Sequence, residues 1–425
     1  MSAPPPVSLH IERTETLPRA SWPSQAPLHI VVTVNGPGEV AAWLFPFVHE
    51  LRQRCPDAEV TVALLPCVFA SGREADVLGG MEGVDRVLLP EESMPWILRG
   101  RVPGRLSAPD LVMHLGGELL LSVRLARRLR TPLLVYEEGA PRWSALVSRT
   151  CLRDDHPNAH RDPARVRVVG NLMVDAARLR VPTRAVHLHG PNTVALFPGS
   201  RPYFVRQLVP LLLRVASLAQ STQPALRWVL AKSDFVAMDA LAECLKNPDD
   251  RLVEGDDGVL RSNGRQTWIQ STGGVRVEVL APADAMRRAS AAVTIPGTNT
   301  AELAALGVPM LLILPAYRLH SLPLPGLAGH LGHIPVIGSM IKEGVARAYL
   351  ATRRYWAHPN RLAGRLVVPE LIGRITAREI ADRLHGLLAS PLSETSATLQ
   401  AIMGSPGASS RLVDEVLELA GARRA

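Results

Sequence analysis

Two turns rich in glycine, hydroxyl and amide residues carry the side chains with the clearest chemical use. Residues 296–302 read PGTNTAE between two apolar segments, and residues 197–201 read FPGSR after another apolar segment. A helix that begins at such a turn offers free backbone N–H groups and a partial positive charge, and both attract phosphate. Arg201 can bind a phosphate or a carboxylate through its forked guanidinium, or it can simply cap its own domain. Glu302 lies near where a ribose would fall if the anion were a nucleotide phosphate. The two turns together predict an anion site.

A glycine-rich loop near the N terminus is a third candidate for the same ligand. It reads NGPGE at residues 35–39 and follows the apolar run LHIVVTV at residues 28–34. Glycines between a first strand and a first helix let a ligand approach the backbone closely, and an ordinary turn explains them nearly as well. The ligand-binding candidates from the three loops are Gly36, Gly38, Gly199, Ser200, Arg201, Gly297, Thr298, Asn299, Thr300 and Glu302.

Short apolar runs alternate with helical segments through most of the chain. This alternation predicts an α/β fold of doubly wound parallel sheets, with the same architecture used twice. The polar stretch at residues 247–274 predicts loops and a short edge hairpin instead. Beyond residues 28–34, the predicted strands lie at residues 58–66, 84–90, 108–118, 131–139, 226–232, 275–280, 291–295 and 310–314, and at the start of 164–176 and 192–201.

The length of 425 residues predicts two domains, because one core rarely grows that large. The segment RLRVPTRAVHLHGP at residues 178–191 has two prolines and a glycine, and it is the predicted linker. The predicted units are a disordered proline-rich tail at 1–27, an N-terminal Rossmann-like domain at 28–180, a second Rossmann-like domain at 190–375 and C-terminal helices at 376–425.

Composition excludes several classes of protein. Aromatic residues make up 4% of the chain, which argues against a nucleic-acid binder built on base stacking. The net charge of +8 suits an anionic substrate or membrane surface, and an arginine-rich proteome explains it equally well. The chain shows no signal peptide and no uninterrupted apolar run of about 18 residues, so we predict a cytoplasmic protein without a membrane span. Four cysteines without CxxC pairing predict reduced thiols.

An apolar segment at residues 319–344 combines three prolines with five glycines. A segment this apolar predicts either packing inside the protein or a surface that meets lipid. Four histidines lie in this region or soon after it, but no cysteine or carboxylate stands near them at the spacing of metal ligands. We therefore predict no metal site for His320, His330, His333 and His358.

Three segments of the second half resemble successive motifs of the lipid-A-disaccharide synthase family. They are FPGSR (197–201), PGTNTAE (296–302) and PNRLAGRLVVPEL (359–371), of which the last is the most specific. VGNLMVD (169–175) is similar to the segment before the family's linker, with Asn171 where a histidine is usual.

The resemblance implies an inverting glycosyltransferase of the GT-B type, with two Rossmann-like domains around a cleft. It implies a UDP-sugar donor held mainly by the C-terminal domain, and no metal or other cofactor. Arg201 and the turn at 297–300 would face the diphosphate, Glu302 the ribose, and Asn360 the phosphate or sugar of the donor. The implied acceptor is a lipid or a lipid-linked molecule, which brings in peripheral contact with the inner face of a membrane. A homodimer is a further arrangement to test.

The first half departs from the family where the catalytic base is expected. The family's serine-glycine-aspartate turn is replaced by GPGE at residues 36–39, and its aspartate-rich segment by HLGGE at residues 114–118. Glu118 and Glu39 are the predicted candidates for the base, because both follow strands that end at the cleft. Each is also explained by the preference of helix N termini for negative charge. The pair at residues 137–138 is a third alternative.

Two rival functions remain compatible with the same fold. One is a UDP-N-acetylglucosamine 2-epimerase, although the acidic and histidine motifs of such an enzyme are not found in the sequence. The other is a catalytically inactive GT-B protein that binds a sugar nucleotide as a sensor or scaffold, an alternative that the missing aspartate motif keeps open.

Overall fold

The computed structural model describes residues 27–67, 70–141, 144–182, 193–245, 254–315 and 354–424. Within these ranges the chain forms two sheets, one of seven strands and one of eight. Helices connect the strands in the manner of parallel α/β units, so the predicted α/β class is confirmed. No helix in the described ranges is both long and apolar enough to cross a membrane.

The first sheet is wholly parallel and follows the order β3-β2-β1-β4-β5-β6-β7. The chain runs outward in opposite directions from β1 and β4, which therefore pair as neighbours at the centre. A crevice forms where the strand order reverses in this way, at the carboxyl ends of the strands. The strands are β1 (His29–Val34), β2 (Glu59–Leu64), β3 (Arg86–Leu88), β4 (Leu111–His114), β5 (Leu133–Glu137), β6 (Arg149–Leu152) and β7 (Val166–Val168).

The second sheet follows the order β10-β11-β12-β9-β8-β13-β14-β15. Its reversal point lies between β8 and β13, the two strands that lead into FPGSR and PGTNTAE. The antiparallel pairing of β10 with β11 forms the edge hairpin that the polar stretch predicts. The strands are β8 (Thr193–Phe197), β9 (Arg227–Ala231), β10 (Gly258–Ser262), β11 (Thr267–Ser271), β12 (Arg276–Leu280), β13 (Ala291–Thr294), β14 (Met310–Pro315) and β15 (Glu370–Gly373).

Helices cover both faces of each sheet and bury their apolar sides on it. The first one changes type: α1 (Pro37–Glu39) runs into a π-helical turn (Val40–Leu44) and then α2 (Phe45–Arg54). The others are α3 (Glu74–Gly79), α4 (Pro90–Arg99), α5 (Leu119–Leu129), α6 (Pro157–Arg161), α7 (Leu172–Arg180), α8 (Pro202–Thr222), α9 (Met238–Cys244), α10 (Pro282–Arg288), α11 (Thr298–Ala305), α12 (His358–Ala363), α13 (Ala377–Ala389), α14 (Leu392–Met403) and α15 (Ala408–Arg424), with a 3-10 turn at Ser144–Leu146.

The last helix, α15, returns to the first sheet. Its apolar residues, among them Leu412 and Val416, belong to the same buried cluster as β1 and α2. Asp175 of α7 accepts hydrogen bonds from the backbone N–H groups of Gly407 and Ser409, at 2.7 and 2.6 Å, and so caps the start of α15. By contrast, α13 packs into the core of the second sheet.

Several predicted segments fall outside the described residues. They include the proline-rich tail except residue 27, most of the predicted linker and the whole apolar segment at 319–344. His320, His330 and His333 lie there as well. In the described part of the predicted linker, residues 178–180 are still helical and form the end of α7.

Candidate functional site

The glycine-rich loop after β1 touches the turn at the start of α11, so the two domains meet at their candidate loops. A Cβ atom built on Gly38 would lie 3.2 Å from Cγ2 of Thr298. Beside this contact lies a small pocket that opens to solvent, with a cavity volume of about 90 Å³. Its lining residues are Pro37, Gly38, Phe197, Gly199, Ser200, Ala231, Ser233, Phe235, Pro282, Met286, Thr298, Asn299 and Glu302.

Hydrogen bonds from its own side chains fix the conformation of the turn before α11. Asn299 Nδ2 donates to Thr294 Oγ1 at 2.6 Å, and Thr300 Oγ1 donates to the carbonyl of Gly297 at 2.8 Å. The backbone N–H of His358 donates to Thr300 Oγ1 at 3.1 Å. Thr298 and Asn299, the first two residues of α11, line the pocket, and the N terminus of a helix is a place where an anion can bind.

Arg201 directly precedes α8 and follows Gly199 and Ser200, which line the pocket; Arg201 itself is not among the described lining residues. Gly199 adopts a left-handed φ of 98°, and a Cβ there would lie 2.7 Å from Cδ1 of Ile295, so the turn needs glycine. Burial lowers the pKa of Arg201, while the nearby Cys67, Glu39 and Glu74 act in the opposite direction. The guanidinium is thus partly desolvated and electrostatically coupled to Glu39 of the other domain, a favourable setting for binding a phosphate.

Glu39 occupies space that two glycines leave open. A Cβ on Gly36 would lie 2.6 Å from Glu39 Oε2, and a Cβ on Gly116 would lie 2.8 Å from Glu39 Cγ. Burial raises the pKa of Glu39; the charge of Arg201 opposes the rise and that of Glu138 adds to it. Nearby, Asn35 Oδ1 is buried without a hydrogen-bond partner in the described structure. A carboxyl group with a raised pKa beside a spare acceptor fits a general base.

The other two carboxylate candidates have different surroundings. Glu118 is exposed at the N-terminal end of α5 and makes no capping bond, and, like Glu39, it is absent from the described pocket lining. Glu138 Oε1 accepts a hydrogen bond from His358 Nε2 at 3.2 Å and lies 3.2 Å from Arg153. Burial opposes its ionisation, but His358, Arg153 and Arg361 together hold the pKa of Glu138 at about 2. Glu138 is therefore a fixed anion that joins the two domains.

Glu302 is buried in the pocket wall and pairs with Arg180. Burial raises the pKa of Glu302, and the guanidinium of Arg180 acts against that rise. Glu302 lines the pocket, and the sequence gives no sign of its pairing with Arg180.

Asn360 has a different role from the one that the resemblance implies. Its side chain is fully buried, and its Nδ2 donates to Val368 O at 2.8 Å and to Glu370 Oε1 at 2.7 Å. Its Oδ1 accepts from the N–H groups of Val367 and Val368 at 2.7 and 2.9 Å. Since every polar atom of the amide is bound inside the C-terminal domain, Asn360 folds the motif and does not face the pocket.

The loop after β9 was missed from the sequence although it lines the pocket. Lys232 Nζ donates to the carbonyls of Ser233 and Val236 at 3.2 and 3.0 Å, which turns the chain so that Ser233 and Phe235 face the cavity. The polar run KSD directly after an apolar strand was the available signal, because such runs at strand ends line the crevice of a parallel sheet.

No cluster of three or more His, Cys, Asp or Glu side chains that could hold a metal occurs in the described part of the chain. His358, the one candidate histidine in that part, is hydrogen-bonded to Glu138 instead.

Two parallel α/β domains whose carboxyl edges face one cleft define the GT-B fold, and solved structures agree. The chain superposes on Staphylococcus aureus MnaA in its UDP co-structure with a TM-score of 0.51 and 14% identity, covering 91% of this chain and 95% of that one. For a UDP-N-acetylglucosamine 2-epimerase the TM-score is 0.50, at 14% identity, with 94% and 98% covered. Likeness at this identity concerns the fold alone, and the predicted GT-B fold is confirmed.

Sequence comparison gives a narrower likeness. No protein-family model matches the chain. The chain is 28% identical over 239 residues to the lipid-A-disaccharide synthase of Geobacter metallireducens, which is 55% of this chain and 50% of that protein. It is 29% identical over 176 residues to the enzyme of that name from Trichlorobacter lovleyi, 41% of this chain and 38% of that protein. The chain thus spans half or less of the length of these relatives. The resemblance to lipid-A-disaccharide synthases that its motifs indicate is confirmed.

Proposed function

We propose that this chain is an inverting glycosyltransferase that moves a sugar from a UDP-sugar to a lipid or lipid-linked acceptor. The observation that carries the proposal is that a candidate catalytic base in the first domain faces a candidate phosphate site in the second. Glu39, a half-buried carboxyl with a raised pKa, stands opposite Arg201 and the N terminus of α11, beside the pocket. The likeness to lipid-A-disaccharide synthases supports the choice of reaction.

The donor half of the site would stabilise a nucleoside diphosphate without a metal ion. The diphosphate lies against the N–H groups at the start of α11, with Ser200 and Arg201 on its other side. A helix N terminus and a partly desolvated guanidinium together favour the negative charge that develops on a leaving UDP. Glu302 accepts hydrogen bonds from the ribose hydroxyls, and the loop at Ser233 and Phe235 covers the uracil ring of UDP.

The reaction is then a single displacement. Glu39 removes the proton from the acceptor hydroxyl, whose oxygen attacks the anomeric carbon on the face opposite UDP. The bond between that carbon and the phosphate oxygen breaks, and its electron pair leaves with UDP. The configuration at the anomeric carbon is inverted and Glu39 holds the proton. Arg201 pairs with the negative charge of the departing UDP. The free Asn35 Oδ1 can accept a second hydrogen bond from a hydroxyl beside Glu39.

The first test measures UDP binding and then UDP release. Wild-type protein is expected to bind UDP by calorimetry, and to release UDP from a UDP-sugar only when a lipid acceptor is added. Glu39→Gln should lower turnover by about 100-fold or more while leaving UDP affinity unchanged. Glu118→Gln is the matched control and should retain turnover. A chain that binds no UDP would contradict the donor class, and loss of turnover in Glu118→Gln alone would contradict the choice of base.

Product analysis separates the proposal from its rivals. Incubation with UDP-N-acetylglucosamine and no acceptor should leave the sugar nucleotide unchanged, whereas an epimerase would convert it to its 2-epimer. UDP binding without transfer to any member of a panel of lipid acceptors would identify an inactive sugar-nucleotide-binding protein.

A further inference from the structure

Arg180 connects the two halves of the candidate site through one guanidinium. It is the last residue of α7 and donates both to Glu302 Oε1, in the second domain, and to the carbonyl of Ala41, in the first. The flat face of the guanidinium lies 4.6 Å from the ring centre of Phe45, which holds its plane in place. Arginine suits this task because its donors are arranged in a rigid planar fork.

The two acceptors lie close to the residues that carry the proposed reaction. Ala41 belongs to the π-helical turn that begins directly after Glu39. Glu302 lines the pocket, and its side chain is only 9% exposed. A carboxylate that is so buried loses much of its hydration and ionises readily only beside a cation.

No other charged group takes this part for Glu302 in the described structure. Of the elements packed against α11, α7 also carries Asp175 and Arg178, α12 carries His358 and Arg361, and α14 carries Glu394. Asp175 caps α15, and His358 is bonded to Glu138. Among the residues that the structure describes, Arg180 is the one charged group that acts on the ionisation of Glu302.

We propose that Arg180 is a positioning residue that keeps Glu302 ionised and aimed at the ribose of the donor, and fixes it relative to the turn that carries Glu39. The inference rests on the proposed UDP-sugar donor. An ionised carboxylate can accept a hydrogen bond from each of the two ribose hydroxyls, whereas a protonated one uses part of its capacity as a donor. Arg180 thereby contributes to recognition of ribose without touching the donor.

Calorimetry with UDP and 2′-deoxy-UDP, at a series of pH values from acidic to alkaline, tests this role. At neutral pH wild type is expected to prefer UDP by about tenfold, since one hydrogen bond to a charged group is lost in the deoxy compound, and it should keep this preference to lower pH than Arg180→Met does. Glu302→Gln should lose most of that preference at every pH. Arg180→Met should lose it at low pH and regain it as the pH rises, because Glu302 must then ionise without a cation.

Two further variants keep the result interpretable. Arg180→Lys restores a cation without the fork, so it should retain a preference for UDP at neutral pH. Arg288→Met removes an arginine from the partly exposed pair with Glu278 and should behave as wild type. If Arg180→Met weakens the binding of UDP and of 2′-deoxy-UDP equally at all pH values, Arg180 is only a structural residue and the inference is overturned. Failure of wild type to bind UDP would instead overturn the proposed function.

Discussion

Glu39 and Gly116 share one small space between the loops after β1 and β4: a Cβ on Gly116 would lie 2.8 Å from Glu39 Cγ. These loops follow neighbouring central strands, and the absence of a side chain at Gly116 leaves the space that the Glu39 side chain occupies. The position of the proposed base is thus set by a residue that carries no functional group.

Gly116→Ala should therefore displace Glu39 and lower turnover by about tenfold or more, with UDP affinity preserved. The φ angle of Gly116 is not in the left-handed region, so alanine is not strained by its backbone there. Steady-state kinetics and UDP calorimetry measure the two effects. Gly139→Ala is the matched control, because nothing lies within 4 Å of a Cβ at that position. Full activity in Gly116→Ala would argue against Glu39 as the base.

The pH dependence of turnover should report the raised pKa of Glu39. A base works only when it is ionised, so the rate should rise with pH, and the rise should be centred above the ordinary glutamate value of 4.5. Arg201→Met removes a cation that opposes the shift, and it should move the remaining acidic limb to still higher pH. A limb at or below the ordinary value, measured with a stable acceptor, would contradict this assignment.

Glu138 should stabilise the fold in a pH-dependent way. Its folded pKa of about 2 lies below the ordinary 4.5, so its ionised form stabilises the protein above the ordinary value. This contribution, about 2–3 kcal/mol, is lost as the pH falls from the ordinary value through the folded one. Urea unfolding should show Glu138→Gln less stable than wild type at neutral pH, with the gap closing in acid. Asp76→Asn, which alters an exposed pair with Arg73, should change stability by less than about 1 kcal/mol.

Asn360→Ala should damage folding before it damages donor binding. The change leaves the buried N–H groups of Val367 and Val368 without their acceptor and should cost about 2 kcal/mol or more. Asn263 accepts two backbone N–H groups in the same way, but in an exposed turn. Asn263→Ala is therefore expected to cost much less in thermal unfolding. If folded Asn360→Ala loses UDP binding while its melting temperature is unchanged, the structural role is wrong.

Local patterns in the sequence predicted most strands and the turns that follow them, because a parallel sheet determines these features from short stretches of chain. Apolar runs located most central strands, and the polar turns after β8 and β13 were placed together because neighbouring parallel strands end at one edge. The short strand β6 was missed. It begins with Arg149, a charged residue that is buried because it pairs with Glu415 and Glu418 of α15, far away in the chain.

The same limit applies to the candidate site. The position of Glu302 after a turn predicts a contact with ribose, but its pairing with Arg180 joins residues 122 positions apart and cannot be read from the sequence. Asn360 looked like a ligand contact because it lies in a specific motif, and the sequence does not reveal that the backbone of Val367 and Val368 takes its side chain. Partners that meet only in the folded chain decide which polar residues remain for chemistry.

The return of α15 to the first sheet has a consequence for synthesis on the ribosome. Leu412, Val413 and Val416 fill a core whose other members, apart from Phe235 and further residues of α15, are translated more than 200 residues earlier, since β1 ends at Val34 and α7 at Arg180. The first domain therefore emerges with an apolar face that its own segment cannot cover. Until the C-terminal helix is made, that face is open to chaperones and to aggregation, and the half chain at residues 28–182 should be recovered only when the peptide of α15 is supplied with it.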